Sequence, residues 1–354
     1  MGTTLLGEIK TGYNSTYKKM AAQWLNEALC FASSSVLADS FRLRNRQLLV
    51  AAKRCMLLFR HSSNIEHNVM IKPFLFFTLL FTTANSFAQS DQIVLKDLVW
   101  DKTAPAGSVD LNITSNGSRL AGGIMYTPNG KGKHPTLILL HGLPGNQKDF
   151  DVAQVVRAHG WNAIYFNYRG SWGSEGKYSF ENCVEDVKNV VAYCNKYQDS
   201  LRIDTTNIAL FGHSLGGFVC LKALEQLPQI KKGFALSAAT FYQVLKTIPD
   251  EKTGIEAMKD TVKYPNYVAL NSTFSEIYLA AYRNKEYYNL ATNAKALKGK
   301  QIIMLDEHQK NKDLADTIKA SGLKFFDYQV WDTDHSFTNK RISLINLVLS
   351  FLDK

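Results

Sequence analysis

The chain has 354 residues, of which 45% are hydrophobic and 20% charged, enough to bury a large core in one α/β domain or two small ones. The formal net charge of +10 raises the possibility of nucleic-acid binding, but residues 1–69 carry nine basic and four acidic side chains. Residues 89–354 carry 31 basic and 27 acidic side chains, without a basic stripe interleaved with aromatic residues. This distribution argues against a nucleic-acid partner.

Residues 70–88 have the three parts of a secretory signal peptide. Met70-Ile71-Lys72 is a short basic start, Pro73 to Ala84 is an apolar stretch, and Ser86-Phe87-Ala88 is a small-x-small cleavage pattern. The apolar stretch is too short for a comfortable membrane span, and no cysteine follows it that could carry a lipid. The pattern predicts a periplasmic or secreted protein without a stable membrane anchor after cleavage.

The position of this signal bears on the residues before it. A signal peptide acts from the N-terminus, so we expect Met70 to be the start and residues 1–69 to be a non-native or disordered extension. A basic amphipathic helix over residues 41–60 is the alternative. The predicted mature domain covers residues 89–354.

Three cysteines fall in that domain, at positions 183, 194 and 220. Their number is odd and their spacing is not that of metal ligands. We expect them to be buried packing residues, and the sequence predicts neither a metal nor an organic cofactor.

Alternating and β-rich residues at 93–100, 108–114 and 119–126 predict an antiparallel start to a sheet. Apolar strands are then predicted at 136–140, 163–167, 207–212, 233–237, 301–305 and 324–331. Helical patterns lie between them, including 179–197 and 311–320, and a final helix closes the chain. This alternation predicts an α/β fold with a mostly parallel sheet and helices on both faces. Residues 241–298 interrupt it with a mostly helical, tyrosine-rich insertion.

The strongest chemical motif is Gly212-His213-Ser214-Leu215-Gly216, between an apolar strand and an apolar helix. A strand that turns into a helix within a few residues strains its middle residue and leaves no room for neighbouring side chains. The turn would expose the hydroxyl of Ser214 as a nucleophile, with the backbone N–H of Leu215 beside it.

A serine hydroxyl needs a base, and His335 after the last strand is the candidate in the order Ser, acid, His. The acid should follow the strand at 301–305. Asp306 is our first choice and Glu307 the alternative. His141 and His213 are expected to have structural roles.

An oxyanion requires two N–H donors. The loop His141-Gly142-Leu143-Pro144-Gly145 follows the strand at 136–140, and the N–H of Leu143 is the candidate that complements Leu215. The glycines at 170, 173 and 176 do not have the spacing of a dinucleotide or phosphate loop.

With these motifs in order, residues 108–354 resemble the α/β-hydrolase family, specifically its branch of serine aminopeptidases, small esterases and prolyl-oligopeptidase-like domains. The resemblance implies Ser214 as nucleophile, His335 as general base and acid, and N–H donors at Leu143 and Leu215. It also implies that the insertion at 241–298 is a small helical lid. One departure is the shortened stretch Met304-Leu305-Asp306-Glu307-His308, which leaves the acid unassigned.

The function expected from this sequence is hydrolysis of a small carboxylic ester by a secreted or periplasmic serine hydrolase. A peptidase acting on short peptides is the alternative enzyme. A hydrolase-fold binding protein without turnover is the non-enzymatic alternative, for which the altered acid loop is the sequence hint. Tyrosines in the predicted lid are expected to form an acyl or aromatic pocket that selects the substrate.

Overall fold

An eight-stranded sheet is the centre of the computed structural model, which describes residues 97–98, 100–258 and 268–354. The predicted extension at 1–69 and the predicted signal peptide at 70–88 lie outside the described residues. The strands are β1 (Gly107–Asp110), β2 (Ile113–Ser115), β3 (Ser118–Leu120), β4 (Ile124–Thr127), β5 (His134–Leu140), β6 (Asn162–Tyr165), β7 (Ile203–His213), β8 (Lys232–Leu236), β9 (Gln301–Asp306) and β10 (Phe325–Val330).

Helices alternate with these strands. They are α1 (Phe150–Ala158), α2 (Phe180–Lys196), α3 (Leu215–Gln226), α4 (Phe241–Leu245), α5 (Glu251–Met258), α6 (Phe274–Arg283), α7 (Lys312–Lys319) and α8 (Arg341–Leu352). Short 3₁₀ helices occupy Lys285–Tyr288, Ala294–Leu297, Gln309–Asn311 and Thr338–Lys340.

The strand order is β1-β4-β6-β5-β7-β8-β9-β10, with β2 and β3 paired in a separate hairpin. From β6 to β10 all neighbouring strands are parallel, whereas β4 is antiparallel to both β1 and β6. The predicted mostly parallel sheet is therefore observed. Of the predicted strand at 93–100 only residues 97, 98 and 100 are described, and these three have no strand conformation. Among the described residues the antiparallel edge begins at β1.

Apolarity along the central strands explains why both faces of the sheet are covered. In β5, Ile138 and Leu140 belong to one buried cluster, and Leu137 and Leu139 belong to the cluster on the opposite face. Side chains of α2 and α3 belong to the first cluster, and side chains of α1 and α8 belong to the second. Burying each such leucine stabilises the fold by about 1.5 to 3 kcal/mol relative to exposing it.

Local signals fix the ends of two helices. The Ser179 hydroxyl accepts a hydrogen bond from the Asn182 N–H and caps α2. Thr273 and Glu276 form a reciprocal capping box at the start of α6. Each cap satisfies backbone N–H groups that lack a partner within their helix, which is why the helices begin there.

The described residues contain neither a membrane-spanning helix nor a metal-binding group. No described helix has the length and apolarity required to cross a membrane. Among the same residues no group of His, Cys, Asp and Glu is arranged to hold a metal ion. The cysteines at 183, 194 and 220 are buried and free, as their spacing predicted.

The insertion at 241–298 packs onto the domain in its described part. Phe241 and Tyr288 contact the ring of Phe180, and Tyr288 stacks on Phe218 at 5.5 Å between ring centroids. The N–H of Asn271 donates to the Gly170 carbonyl at 2.6 Å. Many of the insertion's aromatic side chains therefore join the core.

Candidate active site

Ser214 lies at the turn between β7 and α3, with φ 58° and ψ −117°. This backbone conformation is strained for a residue with a side chain. Hydrogen bonds hold it from both sides, since the Ser214 N–H donates to the Leu236 carbonyl at 2.8 Å and its own carbonyl accepts from Ala239 N–H at 3.0 Å. The strand-to-helix turn that the sequence predicted is thus present and is braced by the chain after β8.

Glycine is required on both sides of Ser214. A Cβ atom on Gly212 would overlap with the backbone of Gly216, and one on Gly216 would overlap with the carbonyl of Leu140. The turn can be this tight only because neither position carries a side chain. Close approach of β5, β7 and α3 at one point is therefore encoded directly in the motif.

The loop after β5 lies against the serine. A Cβ atom on Gly142 would be 3.1 Å from the Ser214 Cβ and 3.7 Å from its Oγ. Nδ1 of His141 donates to the Gly142 carbonyl at 2.7 Å, and the His141 ring packs 4.3 Å from the Tyr168 ring. Burial lowers the pKa of His141 to about 4, so this ring stays neutral and shapes the loop.

The two predicted N–H donors belong to segments next to Ser214. Leu143 follows Gly142 in the loop that contacts Ser214, and Leu215 is the first residue of α3. The first N–H groups of a helix have no partner within it, so the Leu215 N–H is not used by α3 itself.

His335 follows β10 and enters the site beside Glu307. Its Nδ1 donates to Glu307 Oε1 at 2.8 Å, which leaves Nε2 as the basic nitrogen. The backbone carbonyl of His335 accepts a hydrogen bond from His213 Nε2 at 2.8 Å. This bond joins the histidine loop to the residue immediately before Ser214.

Asp306, our first choice for the acid, does not contact His335. Its carboxylate accepts hydrogen bonds from the side chain of Asn311 at 3.0 Å and from the Tyr328 hydroxyl at 2.9 Å, and it is fully buried. The physical reason is that β9 extends one residue beyond the predicted strand, to Asp306. Consecutive side chains of a strand point to opposite faces, so Asp306 and its successor diverge.

Glu307, the alternative, is the residue that pairs with His335. The side chain of Glu307 is 3% exposed, so burial on its own raises the carboxyl pKa. The hydrogen bond from His335 and the charge of Lys310 outweigh burial and hold the pKa of Glu307 well below its usual range. A buried carboxylate that stays ionised can orient an imidazole and stabilise its protonated form.

Ser237 and Lys310 also lie beside Glu307, and neither was identified from the sequence. The hydroxyl of Ser237, the first residue after β8, contacts Glu307 Oε2 at 2.5 Å and His335 Nδ1 at 2.9 Å. Lys310 Nζ donates to the same hydroxyl at 2.8 Å. The signal that could have found Ser237 is its position, because Ser214 and Glu307 are likewise the first residues after neighbouring strands.

A cavity of about 110 Å³ lies against the chain that follows β8. Its lining includes Thr240, Phe241 and Tyr242 of the insertion, Tyr288, and Leu314 of α7, but none of Ser214, Glu307 and His335. The insertion thus shapes a space next to the segment that braces the serine.

The chain belongs to the α/β-hydrolase family. The sequence profile described as alpha/beta hydrolase fold matches residues 135–335, which confirms the resemblance and the fold class inferred from the motifs.

Named relatives match only in part. An uncharacterized 31.7 kDa protein in the traX-finO intergenic region of Escherichia coli is 33% identical over 121 residues, covering 32% of this chain and 41% of that protein. A probable dipeptidyl-aminopeptidase B of Botryotinia fuckeliana (strain B05.10) is 25% identical over 229 residues, covering 59% of this chain and 22% of that protein. The chain therefore spans less than half the length of each.

Solved structures share the fold. An acylaminoacyl peptidase of Pyrococcus horikoshii superimposes with a TM-score of 0.53 at 16% identity, covering 70% of this chain and 41% of the other. Est1E from Butyrivibrio proteoclasticus, bound to ferulic acid, gives a TM-score of 0.53 at 15% identity, covering 69% of this chain and 100% of the other. At such identities the likeness concerns the fold alone.

Proposed function

We propose that this protein is a serine hydrolase that cleaves a small carboxylic ester through an acyl-enzyme, with Ser214, His335 and Glu307 as its triad. The observation that carries the proposal is the 2.8 Å hydrogen bond between His335 Nδ1 and Glu307 Oε1 beside the strained serine turn. This bond selects the tautomer whose Nε2 can accept a proton.

The reaction follows from these positions. His335 Nε2 takes the proton of the Ser214 hydroxyl as Oγ attacks the ester carbonyl carbon and the carbonyl π electrons move to oxygen. The N–H groups of Leu143 and Leu215 stabilise that oxyanion. Collapse breaks the bond to the alcohol, which leaves with the proton from His335.

Water then completes the cycle. His335 takes a proton from the attacking water, a second tetrahedral intermediate forms on the acyl carbon, and the carboxylic acid leaves as Ser214 regains its proton. Throughout, Glu307 stays ionised and offsets the charge that appears on the imidazole. The net reaction is ester plus water to acid plus alcohol.

A peptidase acting on short peptides is the second candidate, favoured by the name of one sequence relative, a probable dipeptidyl-aminopeptidase B. The same triad and oxyanion donors serve amide cleavage, since only the leaving group differs. The pairing of Glu307 with His335 argues against the non-catalytic alternative, because it supplies the acid that the shortened loop left in doubt.

The signal-like stretch at 70–88 supports the further proposal that the protein is exported and begins near Gln89 when mature. Mass spectrometry of exported protein checks this N-terminus. Retention of residues 1–69 on the exported chain would contradict it.

One experiment tests the proposed chemistry. Purified protein and its Ser214→Ala variant are treated with a fluorophosphonate probe, then assayed on p-nitrophenyl esters and on aminoacyl anilides. We expect labelling of Ser214 alone, faster turnover of esters, and loss of both labelling and turnover in the variant with an unchanged circular dichroism spectrum. Turnover by Ser214→Ala within about tenfold of wild type would exclude the triad.

A further inference from the structure

We infer that Ser237 and Lys310 are positioning residues for the triad, which hold Glu307 in place and extend the reaction to lower pH. The inference rests on the proposed function, since it concerns how the acid and base of that site are tuned. Neither residue touches the reacting atoms, and both act through Glu307 and His335.

The Ser237 hydroxyl bonds to Glu307, His335 and Lys310, which use all of its hydrogen-bonding positions. It donates its proton to Glu307 Oε2 at 2.5 Å and accepts from Lys310 Nζ at 2.8 Å. Its second lone pair faces His335 Nδ1 at 2.9 Å, so the Nδ1 proton is shared between this oxygen and Glu307 Oε1. A hydroxyl has one donor and two acceptor positions, and here none is left for water.

The backbone at Ser237 indicates that this side chain is specifically required. The residue is fully buried and adopts φ 48°, a left-handed conformation. That conformation costs about 1 to 2 kcal/mol for a residue other than glycine. Glycine would avoid the cost, so the hydroxyl is the feature that distinguishes serine at this position.

Lys310 supplies the charge. Its Nζ lies 3.3 Å from Glu307 Oε1, and its side chain is 27% exposed. The titratable groups around the Glu307 carboxylate are His335 from the β10 loop, His213 from β7, Asp306 from β9 and Lys310 itself, with Tyr328 of β10 beyond Asp306. Lys310 is the cation in this set at neutral pH.

The charge of Lys310 disfavours a positive charge on the His335 imidazole. When His335 accepts a proton, its positive charge is attracted by Glu307 but repelled by Lys310, which pairs with the same carboxylate. The net Coulomb stabilisation of the imidazolium is therefore smaller than it would be with Glu307 alone. The Lys310 charge therefore opposes a second positive charge beside Glu307. Removing the Lys310 charge should shift the acidic limb of the rate profile upward by about 0.5 to 1 pH unit, less than for a fully buried pair because of solvent screening.

The test is the pH dependence of fluorophosphonate labelling and of p-nitrophenyl acetate hydrolysis between about pH 5 and pH 9. The variants are Lys310→Met, Lys310→Arg and Ser237→Ala. Lys312→Met is the matched control, because it removes a lysine two positions away whose exposed side chain pairs with Asp316. Circular dichroism reports whether each variant folds.

We expect the midpoint of the acidic limb to rise in Lys310→Met, to return toward wild type in Lys310→Arg, and to stay unchanged in Lys312→Met. Ser237→Ala should lower kcat about tenfold or more with KM little changed, as a misoriented base would. The ¹⁵N titration of the His335 imidazole in a Ser214→Ala background gives the same comparison for variants too slow to assay.

The outcomes separate the two claims. Absence of Ser214 labelling in the wild-type protein overturns the proposed function and this inference with it. If Ser214 is labelled but the acidic limb has the same midpoint in wild type and in Lys310→Met, the inference about Lys310 is overturned and the proposed function stands. A fall in rate without a shift in midpoint assigns Lys310 a structural role and likewise rejects it.

Discussion

His213 Nε2 donates a hydrogen bond to the backbone carbonyl of His335 across 2.8 Å, so the residue before the proposed nucleophile holds the loop of the proposed general base. The two imidazole rings also pack at 4.9 Å between centroids. Burial lowers the pKa of His213, which keeps it neutral beside the base in the neutral range. The histidine of the Gly-His-Ser-Leu-Gly motif therefore has a positioning role that motif order alone does not reveal.

The first prediction concerns this bond. His213→Phe preserves an aromatic ring but removes the donor, so kcat should fall about tenfold to a hundredfold as His335 loses its anchor. His213→Gln keeps an N–H donor and should recover part of the rate. Steady-state kinetics on p-nitrophenyl acetate decide the matter, and a Phe variant as fast as wild type would remove the positioning role.

The second prediction separates the two carboxylates. Glu307→Gln should reduce kcat about 10³- to 10⁴-fold, because the imidazole loses the charge that stabilises its protonated form. Asp306→Asn should keep kcat within about tenfold of wild type and cost roughly 1 kcal/mol of stability through weakened bonds to Asn311 and Tyr328. Kinetics and urea unfolding of both variants are compared. The reverse ranking of kcat would restore Asp306 as the acid.

The third prediction concerns the tight turn. Gly216→Ala should fail to fold or lose at least about 3 kcal/mol, since its Cβ would overlap with the Leu140 carbonyl, which the sheet holds in place. Gly132→Ala is the matched control, because its Cβ would meet no atom within 4 Å. Thermal unfolding followed by circular dichroism measures both. Equal melting temperatures would show that the backbone can yield at this point.

The fourth prediction uses a buried lysine outside the site. Lys300 is 2% exposed and donates to the carbonyls of Leu227 and Ile230, and burial lowers its pKa to about 8. The unfolded chain has the higher pKa, so it binds more protons between about pH 8 and pH 10.5, and stability contributed by this group rises with pH there.

Its measurement is urea unfolding of wild type and Lys300→Met at pH 7.5 and 10.5. The free energy of unfolding of wild type minus that of the variant should increase by about 2 to 3 kcal/mol across this range. Subtraction removes contributions of the other titrating groups. A constant or decreasing difference would contradict a lowered pKa.

The fifth prediction addresses the acyl pocket that the sequence predicts in the insertion. Tyr242 is partly buried in α4 and lines the cavity of about 110 Å³ together with Tyr288. If the insertion selects the acyl group, Tyr242→Ala should enlarge that space and raise the relative rate on p-nitrophenyl octanoate over acetate by about tenfold, worth roughly 1.4 kcal/mol. An unchanged acetate, butyrate and octanoate profile in an active variant would make the insertion a scaffold.

Sequence patterns anticipated the sheet, the turn at Ser214 and His335, because strand periodicity and glycine requirements are local. The partner of His335 was misplaced because the carboxylate that faces the imidazole depends on a single residue of strand length. Whether Asp306 ends β9 or follows it is decided by partners at Asn311 and Tyr328, which the fold brings together.

Ser237 and Lys310 were not identified from the sequence for a related reason. The contact between Ser237 and Glu307 joins residues 70 positions apart, and serine and lysine are ordinary loop residues with no periodic or motif signal. Only the register of neighbouring parallel strands places them at one point. Their positioning role therefore had to be inferred from side-chain geometry.

The order of the strands has a consequence for how this protein would lose activity. Ser214, Ser237, Glu307 and His335 follow β7, β8, β9 and β10, which are consecutive neighbours, so the site runs along one rim from the middle of the sheet to its margin. Among the described residues β10 pairs with β9 alone, and its side chains are half-buried or exposed. Edge elements open at lower free energy than central ones. On warming, we expect His335, the proposed base, to detach first while Ser214 is still held in place, so inactivation should precede melting.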